Sequence, residues 1–254
     1  MWKTSAARAR RAIGAALLAG CAPAAAAAVD CADRRFEGVR HTVCTVDPAQ
    51  EDLRLFLRDG AGRPWGQFDR LDSALRADGR TLAFAMNGGM YHPDRRPVGL
   101  YIEDGQKQMR AIATPGPGNF GLLPNGVFCI GDGRARVIET RTYLERRPDC
   151  RHATQSGPML VINGALHPRF LPDSTSRFRR NGVGVRPDGR VVFAISGSAV
   201  TFHHFARLFR DALGAPQALY LDGNVSRLWA PAIGRADPGR PMGPIVGVTK
   251  PSGG

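Results

Sequence analysis

The chain has 254 residues, 43% of them hydrophobic and 22% charged, which suits one large globular domain and excludes a disordered chain. Its formal net charge is +13, an excess that favours anionic ligands. The arginines behind it are scattered, with no basic recognition helix and no stacked aromatic platform, so nucleic acid is excluded as a partner.

Residues 1–28 read as a signal peptide. Lys3, Arg8, Arg10 and Arg11 form a positive start, AIGAALLAG a short apolar core, and APAAAAA offers small residues to a peptidase. The apolar stretch is too short for a membrane span. Cleavage after Ala28 releases a periplasmic or secreted protein of residues 29–254 with net charge +9, the leader carrying four basic and no acidic residues. LAGC at 18–21 offers the alternative, a lipid anchor on Cys21 to the bacterial envelope. Cys31, Cys44, Cys129 and Cys150 then remain, an even set that suggests two disulfides in an exported chain. Three pairings are open, and the sequence-local one, Cys31–Cys44 with Cys129–Cys150, is the most economical. No C-x-x-C occurs and the histidines are not spaced around the cysteines, so no metal and no cofactor is expected.

From Arg34 the pattern is β-rich. VRHTVCTVD alternates, and DLRLFLRD sets Leu53, Leu55 and Leu57 on one face. FDRLDSALRADG reads as a short helix stopped by glycine. TLAFAMNGGM is a buried strand that ends on Asn87-Gly88-Gly89. Hairpin turns are expected at Asp104-Gly105, Gly131-Asp132-Gly133, Asn163-Gly164 and Pro187-Asp188-Gly189, where Asx-Gly pairs supply positive φ. The Arg-rich interval 167–181 is long for a hairpin connection and is a candidate functional loop. TFHHFARLFRDALGAP is the strongest helix, with Thr201 as N-cap, Phe202, Phe205, Leu208, Phe209 and Leu213 as its apolar stripe, and Gly214 as its stop. ALYLDGN follows as a strand that delivers Asp222 into a loop, and GPIVGV is a last strand. The expected architecture is a single β-rich, mixed-sheet α+β domain with a few packed helices.

Four stretches can carry chemistry: Asn87-Gly88-Gly89, Gln155-Ser156-Gly157-Pro158, Arg177 to Asn181, and Asp222-Gly223-Asn224 with Ser226. Three of them place small or polar residues at a strand end beside glycine, which brings backbone N–H groups and a carboxylate to a pocket. Ser156 lacks the G-x-S-x-G elbow of a serine hydrolase.

Taken together, MNGGMY, SGPMLVINGAL, RNGVGVRPDGRVVFAISG and ALGAPQALYLDGNVSRL resemble, in their order, the phosphodiester glycosidases over roughly residues 80 to 250. The pattern departs from the family's at Asn224 and Gly182, where glycine and a small residue such as alanine are usual. The resemblance implies hydrolysis of a sugar-1-phosphodiester at the anomeric bond, as in release of N-acetylglucosamine from a phosphodiester, here in cell-envelope or exopolysaccharide metabolism. It implies Asp222, Arg180 and Asn87 as catalytic. Gly88, Gly89, Ser156, Gly157, Arg177, Gly223, Asn224 and Ser226 would bind the sugar-phosphate or glycan substrate. On this reading Arg180 and Arg177 clamp the phosphate, the Gly88 and Gly89 N–H groups bind its oxygens or a sugar hydroxyl, Asn87 bonds the sugar, and Ser226 orients Asp222. The alternative is a non-catalytic periplasmic binder of anionic glycans that uses the same pocket.

Overall fold

The computed structural model describes residues 1–2 and 29–253; the expected leader from residue 3 on, with Cys21, lies outside them. Three sheets form the domain. The first runs in spatial order β1 (Asp30–Phe36), β2 (Val39–Val46), β13 (Val191–Ser196), β12 (Asn181–Val185), β14 (Gln217–Asp222), β10 (Met159–Ile162) and β11 (Ala165–Leu166). The second runs β16 (Arg235–Ala236), β15 (Leu228–Ala230), β4 (Arg80–Asn87), β17 (Ile245–Pro251) and β3 (Asp52–Phe56). The third runs β6 (Gln106–Met109), β5 (Tyr101–Glu103), β9 (His152–Ser156), β7 (Gly126–Gly131) and β8 (Arg134–Glu139). Helices α1 (Phe68–Ala77), α2 (Thr140–Arg146) and α3 (Phe202–Arg207) pack around them, which makes this an α+β domain. The described strand pairs are antiparallel, so the mixture is of strands with helices and not of strand directions.

The turns sit where the Asx-Gly pairs place them. Asp104-Gly105, Asp132-Gly133 and Asn163-Gly164 all have φ between 47° and 81° and join β5–β6, β7–β8 and β10–β11. The main core lies where the three sheets face one another. One phenylalanine from each meets at its centre: Phe193 is 4.8 Å from Phe84 and 5.9 Å from Phe128, centroid to centroid. The leucines 53, 55 and 57 point into this core, as their alternation requires. On the outer face of the first sheet, α3 buries Phe205 and continues through a π-helical turn, Leu208–Ala212, that buries Leu208 and Phe209. Thr201 caps α3 by accepting the His204 N–H at 3.1 Å. No helix among the described residues is long and apolar enough to cross a membrane.

The disulfides are Cys31–Cys44 and Cys129–Cys150, the sequence-local pairing. The first joins residues directly opposite across β1 and β2, and the second closes a separation of 21 residues between β7 and the start of β9. The chain-entropy model gives a loop of that length about 3 kcal/mol. The Cys129→Ala/Cys150→Ala variant is therefore expected to lose about that much in urea unfolding; an unchanged unfolding free energy would contradict the assignment.

Several buried groups couple this fold to pH. Burial holds His41 and His152 down to about 4 from 6.5, and the nearby His204 adds to the effect on His41. Each binds fewer protons folded than unfolded between those values, so stability is lost as pH falls from 6.5 towards 4. Glu103 opposes them: burial pushes it up to about 7 from 4.5, so its share of stability is lost as pH rises through that range. Burial also lowers His167 and His204 and raises Glu51 and Asp222, so four histidines stand against three carboxyls, and Tm is expected to fall between pH 6.5 and 4 in a thermal-unfolding series. A Tm that climbs through this window would contradict the burial account.

Candidate functional site

The C-terminal ends of β14, β4 and β9 and the start of β12 converge on one edge of the core. Strand period two places Tyr220 and Asp222 on one face of β14 and Leu221 on the other, in the core. The Asp222 Oδ1 accepts the N–H groups of Gly223 at 2.6 Å and Asn224 at 2.8 Å. Its Oδ2 takes no hydrogen bond from the described residues. The side chain is 8% exposed, and burial raises its pKa against the opposing pull of those N–H groups. Gly223 is required here, because a Cβ would collide with the Tyr220 hydroxyl.

Asn87 and Asn181 form a reciprocal pair between the second sheet and the first. Asn87 Nδ2 donates to Asn181 Oδ1 at 3.0 Å, and Asn181 Nδ2 donates to the Asn87 carbonyl at 3.1 Å. Asn87 Oδ1 also accepts the Arg227 N–H at 3.0 Å. Asn87 has no exposed surface, so its amide is held by protein and not turned to a sugar. Ser226 likewise differs from expectation. Its hydroxyl reaches the carbonyls of Arg179 at 2.8 Å and Asp222 at 3.1 Å, not the Asp222 carboxylate. Ser156 donates to the Leu221 carbonyl at 3.1 Å and so ties β9 to the strand that carries Asp222.

The two glycines after Asn87 answer to crowding. A Cβ on Gly88 would stand 2.9 Å from the Val246 nitrogen, and one on Gly89, where φ is +143°, 2.8 Å from Thr154 Oγ1. The Gly88 N–H is already bonded to the Pro244 carbonyl at 2.7 Å, which corrects its assignment to an anion. The Gly89 N–H has no acceptor among the described residues. Gly157 packs on Asn125, whose Cβ would be 2.6 Å from its own.

Arg180 is fully buried, with its guanidinium carbon 3.6 Å above the Phe202 ring. Nε donates to the Val200 carbonyl at 2.9 Å and Nη2 to the Ser176 carbonyl at 3.0 Å, while Nη1 has no partner among the described residues. Burial lowers its pKa, and Tyr220 stands beside it at 5.3 Å. Arg177 does not join it as a clamp: it is exposed, and its charge helps depress the pKa of His204 on α3, behind burial as the main cause.

Outside Asp222 a cleft of about 370 Å³ is lined by Arg179, Asn224, Ser226, Arg227 and Arg240. The Arg227 guanidinium is spent on the carbonyls of Asp237 and Arg240. Arg179 gives one N–H to the Gly197 carbonyl at 3.1 Å, and Arg240 is exposed. Neither forms an ion pair among the described residues. Tyr91 completes this side; its pKa is raised by burial first and then by the Asp222 charge. The sequence assigns no separate role to Tyr91, Tyr220 or Arg240, and names Arg179 only within the stretch Arg177 to Asn181. The position of Tyr220 two residues before Asp222 on a strand was the available signal.

Residues 80–249 match the family model described as phosphodiester glycosidase. The chain is 35% identical over 185 residues to an uncharacterized protein of Escherichia coli strain K12, YigE, covering 73% of this chain and 72% of that one. Its fold is similar to the catalytic domain of zebrafish N-acetylglucosamine-1-phosphodiester alpha-N-acetylglucosaminidase, solved auto-inhibited by its pro-peptide. That match has a TM-score of 0.60 at 14% identity and covers 87% of this chain and 81% of the other. A putative exported protein from Burkholderia pseudomallei matches with a TM-score of 0.55 at 12% identity, over 83% and 74% of the two chains.

Proposed function

Since the chain belongs to the phosphodiester glycosidase family, we propose that it is an exported hydrolase that cleaves a sugar-1-phosphodiester at the anomeric bond. The observation that carries this reading is the Asp222 carboxylate. One oxygen is anchored by the backbone N–H groups of Gly223 and Asn224, two residues that also line the neighbouring cationic cleft. The leaving group is a phosphomonoester with a second pKa of about 6. It departs without the strong general acid that ordinary glycosides need, so one carboxylate acting on the anomeric centre suffices.

The guanidinium groups of Arg179 and Arg240, without an ion pair among the described residues, line that cleft and take the phosphate, by charge-assisted hydrogen bonds that strengthen as negative charge gathers on the departing oxygen. Arg180, too buried to touch it, acts as a positioning residue under Tyr220 and the end of β14. Asn87, Ser156 and Ser226 fix the strand ends that set Asp222 in place. Asn224, exposed at the cleft, and Tyr91 contact the sugar. Two disulfides and the Arg-rich leader support a periplasmic site of action, on envelope or exopolysaccharide phosphodiesters.

The test is incubation of the mature protein with N-acetylglucosamine-α-phosphate esters, related sugar-1-phosphodiesters and UDP-N-acetylglucosamine, followed by NMR. Free reducing sugar with the released phosphate compound is the expected result. Saturable binding across the panel with no released sugar would overturn it in favour of a non-catalytic binder of anionic glycans.

A further inference from the structure

A second cavity, of about 420 Å³, opens at the other end of β14. Gln217 begins that strand and Asp222 ends it, so at about 3.3 Å per residue the two sites lie roughly 17 Å apart. The floor is apolar, formed by Val137, Ile138, Ile162 and Val185. Three arginines, Arg136, Arg146 and Arg186, stand over it, and none makes an ion pair among the described residues. Arg186 is fixed by its Nε, which donates to the Leu213 carbonyl at 2.9 Å and leaves both Nη groups without an acceptor among the described residues. Glu139, also in the wall, turns Oε2 to α2, where it accepts the Thr142 N–H at 2.9 Å, and its charge offsets one of the three arginines.

Guanidinium groups call for an anion, and the apolar floor suits the C–H face of a ring. A bare inorganic anion meets only the first of these demands, and a neutral sugar only the second.

We propose that this cavity binds an anionic saccharide. Its carboxylate or phosphate ester lies against Arg136, Arg146 and Arg186, and the ring rests on the apolar floor. This assignment does not depend on Asp222 being catalytic.

The test is calorimetric titration of the mature chain with tetragalacturonate and with mannose 6-phosphate, beside a neutral tetrasaccharide and inorganic phosphate. At least one acidic saccharide should bind saturably, and whichever binds more tightly identifies the acid. Its affinity should drop about tenfold or more in Arg136→Ala/Arg146→Ala, the scale expected for losing charge-assisted contacts. Arg34→Ala/Arg35→Ala removes the same charge from the exposed edge strand β1 and should leave it unchanged. Arg240→Ala, in the Asp222 cleft, should also leave it unchanged. An equal loss in either control, equal affinity for inorganic phosphate, or no binding of either acidic saccharide would overturn the proposal.

Discussion

Asp222→Asn is expected to lower sugar release by about 10²–10⁴-fold, the range supplied by a positioned acid–base group. The same change should leave the fold intact. An asparagine Oδ1 can still accept the N–H groups of Gly223 and Asn224, so the loop after β14 keeps its anchor. Burial raises the Asp222 pKa, so the folded state binds its proton more tightly than the unfolded chain does. Its stabilising share is present at low pH and lost as pH rises through the folded pKa; at neutral pH the ionised group costs stability. The variant should therefore unfold at the same urea concentration as the parent or a higher one, with catalysis gone. In the parent, kcat should fall on acidification through a pKa above the usual carboxylate value, because the working form is ionised. Residual turnover in Asp222→Asn with the same acid limb would assign the chemistry to another group.

The second large effect is on stability. Asn87→Ala removes the acceptor for the Arg227 N–H and the amide that donates to Asn181 Oδ1, both in a buried setting. Each buried polar group left without a partner costs about 1–3 kcal/mol, so a loss of about 2–5 kcal/mol is expected in urea unfolding. Asn87→Asp keeps the acceptor for Arg227 but sets a carboxylate oxygen against Asn181 Oδ1, and should recover little of that loss. A cost below about 1 kcal/mol for Asn87→Ala, as at an ordinary surface position, would show that the pair does not bind the two sheets together.

This second prediction reverses the role that Asn87-Gly88-Gly89 suggests as a sequence. The motif marks a strand end at the site, with the Gly88 N–H already bonded to protein and only the Gly89 N–H left without an acceptor among the described residues. Gly88 gives way to the β17 main chain and Gly89 to Thr154, and Asn87 stitches two sheets. Local signals translated well wherever a single residue type decides the geometry. Asx-Gly turns, the leucine alternation of β3, the Thr201 cap and the sequence-local disulfides are all of this kind. The motif resemblance is matched by the family model over residues 80–249.

Long-range choices were not legible. Nothing local tells β3 to pair with β17, or divides the strands among three sheets. Helix α2 was missed because a glutamate, Glu139, caps it in place of the usual Ser, Thr, Asp or Asn. In the arginine run, only the fold reveals which guanidinium turns in. Arg180 is buried over Phe202, Arg179 lines the cleft, and Arg177 lies towards His204. Arg240 comes from a loop with no motif, carried to the site by the strand ends around it.

The central claim is that water attacks carbon and not phosphorus, and turnover in ¹⁸O-labelled water tests it most directly. Hydrolysis of an N-acetylglucosamine-α-phosphate ester should place the label on the anomeric carbon of the freed sugar and leave the phosphomonoester unlabelled. Label found in the phosphate instead would mean P–O cleavage and contradict the assignment of Asp222 to the anomeric centre.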